Sequence, residues 1–264
     1  GSGNDFILID NRQYLLDGES IRNFVQAVCR RRFSVGADGL ILIEPSQKAD
    51  FKWRFYNADG GEVEMCGNGG RCVARLANLL GVAPANMSFE TIAGLIKAEV
   101  VGERVKLKMT DPSSPGPWED LEVGPHQIRF SFINTGVPHA VIFVENLEQA
   151  DVFNLGRQIR YHPRFQPAGT NINFVKTCGP ANISVRTYER GVEDETLACG
   201  TGDVASAIIC NYHGLAQPPV SVLTKSGETL IIHFRREGST YLDVYLEGDA
   251  RLTYQGAMTE EAFT

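Results

Sequence analysis

Several protein classes are excluded by what this chain has little of. Only six cysteines occur in 264 residues, at 29, 66, 72, 178, 199 and 210. That is too few for the disulfide framework of a small secreted domain, so reduced thiols and a cytoplasmic location are expected. No Cys-x-x-Cys and no paired-histidine motif appears, and the nearest key cysteine pair, Cys66 and Cys72, has five residues between its members. A zinc site is therefore not read. There is no basic run, and the net charge is −7, which argues against nucleic acid or an anionic membrane surface as partner. No apolar run approaches the length of a membrane span, and no signal-peptide pattern opens the chain at Gly1-Ser2-Gly3. No lysine is marked out for a Schiff base, so pyridoxal phosphate is not expected, nor is any other cofactor.

What remains is the composition of an ordinary globular protein, 43% hydrophobic and 22% charged, long enough for one or two domains. Against that background two short motifs stand out: Cys66-Gly67-Asn68-Gly69 and Cys199-Gly200-Thr201-Gly202. Each follows an acidic stretch and opens a run with helical character, 71–80 and 203–210. Both runs stop at a glycine, Gly81 and Gly214, the residue that most easily takes the left-handed conformation ending a helix. The second motif formally extends to a dinucleotide fingerprint, Gly200-Thr201-Gly202-Asp203-Val204-Ala205. Charged and polar residues precede it where a buried strand is required, so that reading is set aside.

Along the chain, strands are expected at Phe6–Asp10, Leu40–Ile43, Phe51–Tyr56, Met87–Thr91, Leu95–Val101 and Val105–Met109. A helix is expected from Ile21 to Arg31, capped by Ser20, because Ile21, Phe24, Val25 and Val28 share one face. The stretch 112–125, rich in Pro, Gly, Ser and acid, reads as a linker. Beyond it the programme repeats. The two motif cysteines stand 133 positions apart, and at that offset Gly3 meets Gly136, Gly36 meets Gly169, Gly69 meets Gly202, Ala74 meets Ala207, Gly81 meets Gly214 and Gly94 meets Gly227. A duplicated unit of about 130 residues follows, far too long a period for a solenoid. The shared positions are glycines and small residues because backbone geometry is what the two halves hold in common.

Two homologous halves related by a pseudo-twofold axis would set Cys66 and Cys199 across a cleft, the kind of place where small-molecule sites lie. A helix N-terminus favours thiolate over thiol and also forms an anion site from free backbone N–H groups. Two of them would make an electropositive slot for a carboxylate with a sulfur on each side. That arrangement suits stereoinversion at an α-carbon, one thiolate removing the proton and one thiol returning a proton to the opposite face. Cys72 and Cys210, inside the helical runs, and Cys29 and Cys178 are read as small buried hydrophobes. Around the motifs, Asn57, the Glu189-Arg190 pair, Asn171 and the Pro138-His139 turn recur beside the cysteines. An acid and a guanidinium at one strand end suit the ammonium and carboxylate of an amino acid. His139 reads equally as an orienter of a thiol or as a turn-capping imidazole.

With these residues set out, the chain resembles the diaminopimelate epimerase family over essentially its whole length. Gly3-Asn4-Asp5-Phe6, Phe55-Tyr56-Asn57-Ala58-Asp59-Gly60, Cys66-Gly67-Asn68-Gly69-Gly70-Arg71-Cys72, Pro138-His139, Gly169-Thr170-Asn171, Tyr188-Glu189-Arg190-Gly191 and Ala198-Cys199-Gly200-Thr201-Gly202 match its motifs in order. The resemblance implies that Cys66 and Cys199 are the acid/base pair and that Asn4, Asn57, Asn171, Glu189 and Arg190 bind substrate. It implies that Gly67-Asn68 and Gly200-Thr201 hold the reacting carboxylate, with His139 in support. It also implies an α/β fold of two pseudo-symmetric domains, each a curved, mainly antiparallel sheet around a central helix, and a homodimer. The domains are expected at 1–115 and 116–251, with 252–264 a tail returning to the first. The substrate implied is the small amino acid LL-2,6-diaminopimelate, converted to the meso form. Many members carry Asn before the Pro-His pair where this chain has Val137, and the family's first strand would precede Gly1. The residues alone leave two other readings open: a racemase of histidine, proline or hydroxyproline on the same fold, or a thiol-based redox or ligand-binding protein.

Overall fold

A computed structural model describes residues 1–18 and 20–263. Two compact units emerge, one of residues Gly3–Leu107 with the chain from Gly248 onward, the other Lys108–Glu247.

The first unit runs β1 (Phe6–Asp10), α1 (Ser20–Val28), β2 (Gly39–Glu44), β3 (Phe51–Asn57), β4 (Glu62–Val63), α2 (Gly67–Leu79), β5 (Asn86–Thr91), β6 (Gly94–Val101) and β7 (Arg104–Lys108). Its sheet order is β1-β2-β3-β5-β6-β7, with β4 on β3. β1 with β2 and β3 with β5 are parallel, and the remaining pairs are antiparallel. β2 is buried at every position. Its alternate side chains serve opposite faces, as strand geometry dictates. Leu40 and Leu42 join Ile21, Val25 and Val28 of α1 in one core, while Ile41 and Ile43 join Val73, Ala74 and Ala77 of α2 in another. From the tail, Met258 packs against the α1 core and Phe263 lies 5.3 Å from Phe24.

The second unit opens with a hairpin, β8 (Glu119–Val123) and β9 (His126–Asn134). It continues with β10 (Pro138–Phe143), α3 (Val152–Arg160), β11 (Asn171–Gly179), β12 (Asn182–Glu189), β13 (Asp194–Thr196), α4 (Gly200–Tyr212), β14 (Val220–Leu223), β15 (Thr229–Glu237) and β16 (Thr240–Asp249). From β10 onward each pairing repeats the first unit in kind. β10 with β11 and β12 with β14 are parallel, and β11–β12, β12–β13, β14–β15 and β15–β16 are antiparallel. Again alternate residues divide between two helices: Ile172 and Phe174 pack with α3, Val175 with α4. α4 is buried from Gly202 to Asn211, on all sides.

The duplication is thus written in the topology, and its glycines explain themselves. Gly3 and Gly136 have φ of 90° and 103°, and Gly81 and Gly214, past the ends of α2 and α4, have φ of 66° and 74°. Both pairs need the left-handed backbone that a side chain disfavours.

Three expectations need correction. α1 begins with Ser20 as its first described helical residue and ends at Val28, short of Arg31; the Ser20 hydroxyl donates to Asp17 O instead of capping. The 112–125 stretch is no linker throughout, since it contains β8. There Leu121 and Val123 point inward between exposed or half-exposed acids, a period-2 pattern masked by the surrounding Pro and Gly. Cys178 is exposed, because β11 breaks register between Thr177 and Gly179 at the turn into β12.

Candidate active site

Each motif cysteine is the N-cap of a buried helix. Cys66 has φ −144° and ψ 121°, Cys199 φ −128° and ψ 99°, both extended. Their carbonyls accept the first helical bonds, from Gly70 N–H at 2.8 Å and Asp203 N–H at 2.8 Å. Neither side chain caps its own helix in the usual oxygen-to-N–H manner, and each sulfur stands at a positive dipole end.

The thiols are nevertheless not driven to thiolate. Burial pushes the Cys66 thiol up, outweighing the Gly69 and Asn68 backbone N–H groups and Arg71, which pull it down. Cys199 is also pushed up, first by burial and then by the carboxylate of Glu189, with Asp203 adding to this and Thr201 opposing it. The sequence expectation that the helix end alone lowers these thiols is therefore corrected, desolvation being the larger effect.

In the N-terminal half-site, Asn68 is buried in the first turn of α2. Its Nδ2 donates to Asn4 Oδ1 at 2.7 Å, and Asn4 Nδ2 donates to Asp38 Oδ2 at 2.7 Å. Arg31 donates to Asp38 at 2.8 Å and to Asp5. Asn57 ends β3, exposed, and the N–H of Ala58 beside it donates to Asp38 O at 3.1 Å. Asn4, Asn57 and Asn68 are thus gathered around Asp38. Gly67 is open, with nothing within 4 Å of where a Cβ would stand. Gly69 is different: a Cβ there would meet Ile41 Cδ1 at 3.0 Å, tighter than an ordinary contact.

In the C-terminal half-site, Asn171 opens β11. Its Nδ2 donates to Pro138 O at 3.0 Å and its Oδ1 accepts from Arg190 N–H at 2.8 Å. The Arg190 guanidinium donates to Ala168 O at 2.9 Å. Cys199 Sγ lies 3.6 Å from Thr201 Oγ1, and Thr135 Oγ1 donates to Thr201 O at 3.1 Å. Burial raises the Glu189 carboxyl, with Thr196 and Cys199 pulling it back only in part. Gly200 faces Leu246, whose Cδ1 would be 3.0 Å from a Cβ. His139 is wholly buried, and burial drives its ring down to about 3, so it is neutral. Its Nδ1 pairs with Asn173 Nδ2 at 3.0 Å, and Thr187 Oγ1 donates to Asn173 Oδ1 at 2.9 Å. Asn173 and Thr187 were missed from sequence. The signal was there in Asn171-Ile172-Asn173, where residues two apart share a strand face.

Among the described residues no group of His, Cys, Asp or Glu is placed to hold a metal ion, and no helix is long and apolar enough to cross a membrane.

The fold is shared with solved structures. The Bacillus anthracis phenazine biosynthesis protein of the PhzF family superposes with a TM-score of 0.67 at 15% identity, covering 94% of this chain and 91% of that one. A probable proline racemase from Agrobacterium radiobacter K84 gives 0.62 at 17%, covering 96% and 86%. This is the two-domain, pseudo-symmetric α/β class, as expected from the repeat. Sequence narrows it. The diaminopimelate epimerase family model matches residues 1–114 and 131–253. The diaminopimelate epimerase of Aquifex aeolicus is 48% identical over 99% of this chain and 96% of its own length. That of Chlorobaculum tepidum is 46% identical over 98% and 99%. The chain belongs to the diaminopimelate epimerase family.

Proposed function

We propose that the chain is an isomerase that inverts one α-carbon of LL-2,6-diaminopimelate to give the meso form, without a cofactor, in the synthesis of lysine and peptidoglycan precursors. The observation that carries the mechanism is the repetition, in two units of one topology, of a cysteine N-cap on a buried glycine-containing helix start. The first turns of α2 and α4 offer backbone N–H groups to the reacting carboxylate, with Asn68 and Thr201 beside them. Asn4, Asn57, Asn171, Glu189 and Arg190 hold the rest of the amino acid.

The reaction requires Cys66 and Cys199 to reach opposite faces of the α-carbon. A thiolate takes the α-proton and becomes a thiol; the other thiol donates its proton to the opposite face and becomes a thiolate. Protons and charge balance, and the direction of reaction decides which sulfur begins. Burial leaves both thiols above their ordinary value, so the starting thiolate draws on the helix N-terminus and on the substrate ammonium beside it. Glu189 and Asp203 disfavour an anion at Cys199, whereas Arg71 favours one at Cys66. The enzyme acts as a homodimer in the cytoplasm on this reading.

The test is stereoinversion in deuterated water under reducing conditions. The wild type releases meso product carrying deuterium at the inverted α-carbon. Cys66→Ala and Cys199→Ala each lose turnover by at least about 100-fold, the scale of removing a general acid or base. Full activity in either variant refutes the two-thiol mechanism, and turnover of proline in place of diaminopimelate refutes the substrate.

A further inference from the structure

The two units repeat one topology, so their β-strand registers can be laid against each other. In the first unit Phe6 pairs with Gly39, and Ile41 with Phe55. In the second, His139 pairs with Asn171, and Asn173 with Thr187. Phe6, Ile41 and Phe55 therefore occupy the slots of His139, Asn173 and Thr187. The first trio is apolar and packs with α2, the Phe6 and Phe55 rings edge to face at 5.7 Å. The second trio is polar and almost fully buried, with His139 and Asn173 at 0% and Thr187 at 3% exposure. The helix start follows suit: Gly69 abuts Ile41, and Gly202 abuts Asn173 Oδ1. Packing a helix against these three slots needs no polar atom, as the first unit demonstrates. Burying three polar side chains costs stability unless each is hydrogen-bonded.

The bonds within the trio have a direction. Asn173 Oδ1 accepts from Thr187 Oγ1 at 2.9 Å on the side that faces Gly202, where it leaves no room for a Cβ. The amine therefore faces His139, and Nδ1 must accept from it. A neutral imidazole that accepts at Nδ1 carries its proton on Nε2. Burial keeps the ring neutral. Among the described residues, Nε2 of His139 has no hydrogen-bond partner, so one buried donor is left for something that the protein does not itself supply.

We propose that Asn173 and Thr187 are positioning residues that lock His139 in its neutral Nε2–H form, making it a fixed donor to a carboxylate of the bound substrate and not a base. This rests on the reading of His139 as part of the active site, and it goes beyond that reading in assigning the proton and the two residues that set it.

The tautomer is read directly by long-range ¹H–¹⁵N correlation on the uniformly labelled full-length chain, with His139 assigned by its loss in His139→Gln. In the wild type the nitrogen coupled to both ring protons, Nε2, resonates as protonated and Nδ1 as bare, unchanged between about pH 5 and pH 8. A proton on Nδ1, or a charged ring in that range, overturns the proposal even if no variant folds. Asn173→Asp replaces the amine with a carboxylate that accepts from Nδ1–H and so moves the proton, leaving Nε2 bare. Its kcat falls about tenfold to a hundredfold, the worth of one hydrogen bond to a charged group, while KM moves less than the kcat. Thr187→Ser, which keeps the hydroxyl, keeps the wild-type spectrum. An Asn173→Asp enzyme with a shifted proton and wild-type kcat overturns the functional half. Inactive Asn173→Asp alongside active Cys66→Ala would instead refute the two-thiol reading and leave the tautomer assignment standing.

Discussion

Gly67 and Gly202 look interchangeable in sequence, each a glycine in the first turn of a motif helix, yet alanine at the two positions should have opposite consequences. At Gly67 no atom lies within 4 Å of the new methyl. The substitution only stiffens the unfolded chain and improves helix propensity, a gain of about 0.4–1 kcal/mol. At Gly202 the methyl would stand 2.3 Å from Asn173 Oδ1, 3.3 Å from its Cγ and 3.4 Å from Cys199 Sγ. Asn173 has no room to retreat without breaking its bond to His139 or Thr187. Breaking either bond leaves two buried groups unpaired, each at a cost of about 1–3 kcal/mol, so after the helix gain the net loss is at least about 1 kcal/mol. For a protein of this size that lowers Tm by at least about 2 °C. The assay is thermal unfolding by circular dichroism beside epimerase turnover. Gly202→Ala should melt early. Gly67→Ala should melt at or slightly above the wild type yet lose at least about tenfold in kcat/KM, because the methyl fills the space beside the N–H groups that receive the carboxylate. A Gly202→Ala protein that melts within about 1 °C of wild type refutes the packing argument. Full activity in Gly67→Ala refutes the carboxylate site.

Two further outcomes follow from charge. Iodoacetamide attacks thiolate, so Cys199, held up by burial and by Glu189, should alkylate more slowly than Cys66. Glu189→Gln should speed Cys199 while leaving Cys66 unchanged, as followed by peptide mass spectrometry; no change at Cys199 sinks the assignment. His139 takes a proton near 6.5 when unfolded but only near 3 when folded. Its depressed value makes stability present above the unfolded pKa and lost as pH falls from about 6.5 towards about 3, by an amount on the order of a few kcal/mol. Urea unfolding at a series of pH values should show this slope, and His139→Gln should take up one proton fewer on unfolding. Identical slopes in the two proteins would place the acid sensitivity elsewhere.

Six of the first unit's seven strands were legible because their patterns are local. Phe51–Asn57 and Asn86–Thr91 alternate, and Gly39–Glu44 is a short apolar run that turned out to be buried on both faces. The helix ends at Gly81 and Gly214 were legible because only a left-handed residue fits there. β8 was hidden since its two inward residues sit among acids and flanking prolines. Among the candidate site residues, Asn4, Asn57, Asn68, Asn171, Glu189 and Arg190 were singled out through the family's motifs. Asn173 and Thr187 were not, because a buried polar residue within a strand differs from its apolar neighbours only in what it touches, and Asp38 was not, because it lies half-exposed in the bend before β2.

The sequence by itself determined the duplication, the two cysteine-capped helices and the family, all of which depend on residue type and spacing along the chain. Tertiary structure decided the rest. It set the sign of the thiol shifts, because desolvation depends on what surrounds a sulfur and not on what precedes it. It separated Gly67 from Gly202, because the reason for a missing side chain lies in the atom it would have struck. And it showed that His139, Asn173 and Thr187 fill the slots of Phe6, Ile41 and Phe55, a substitution visible only when strand register puts residues far apart in sequence side by side.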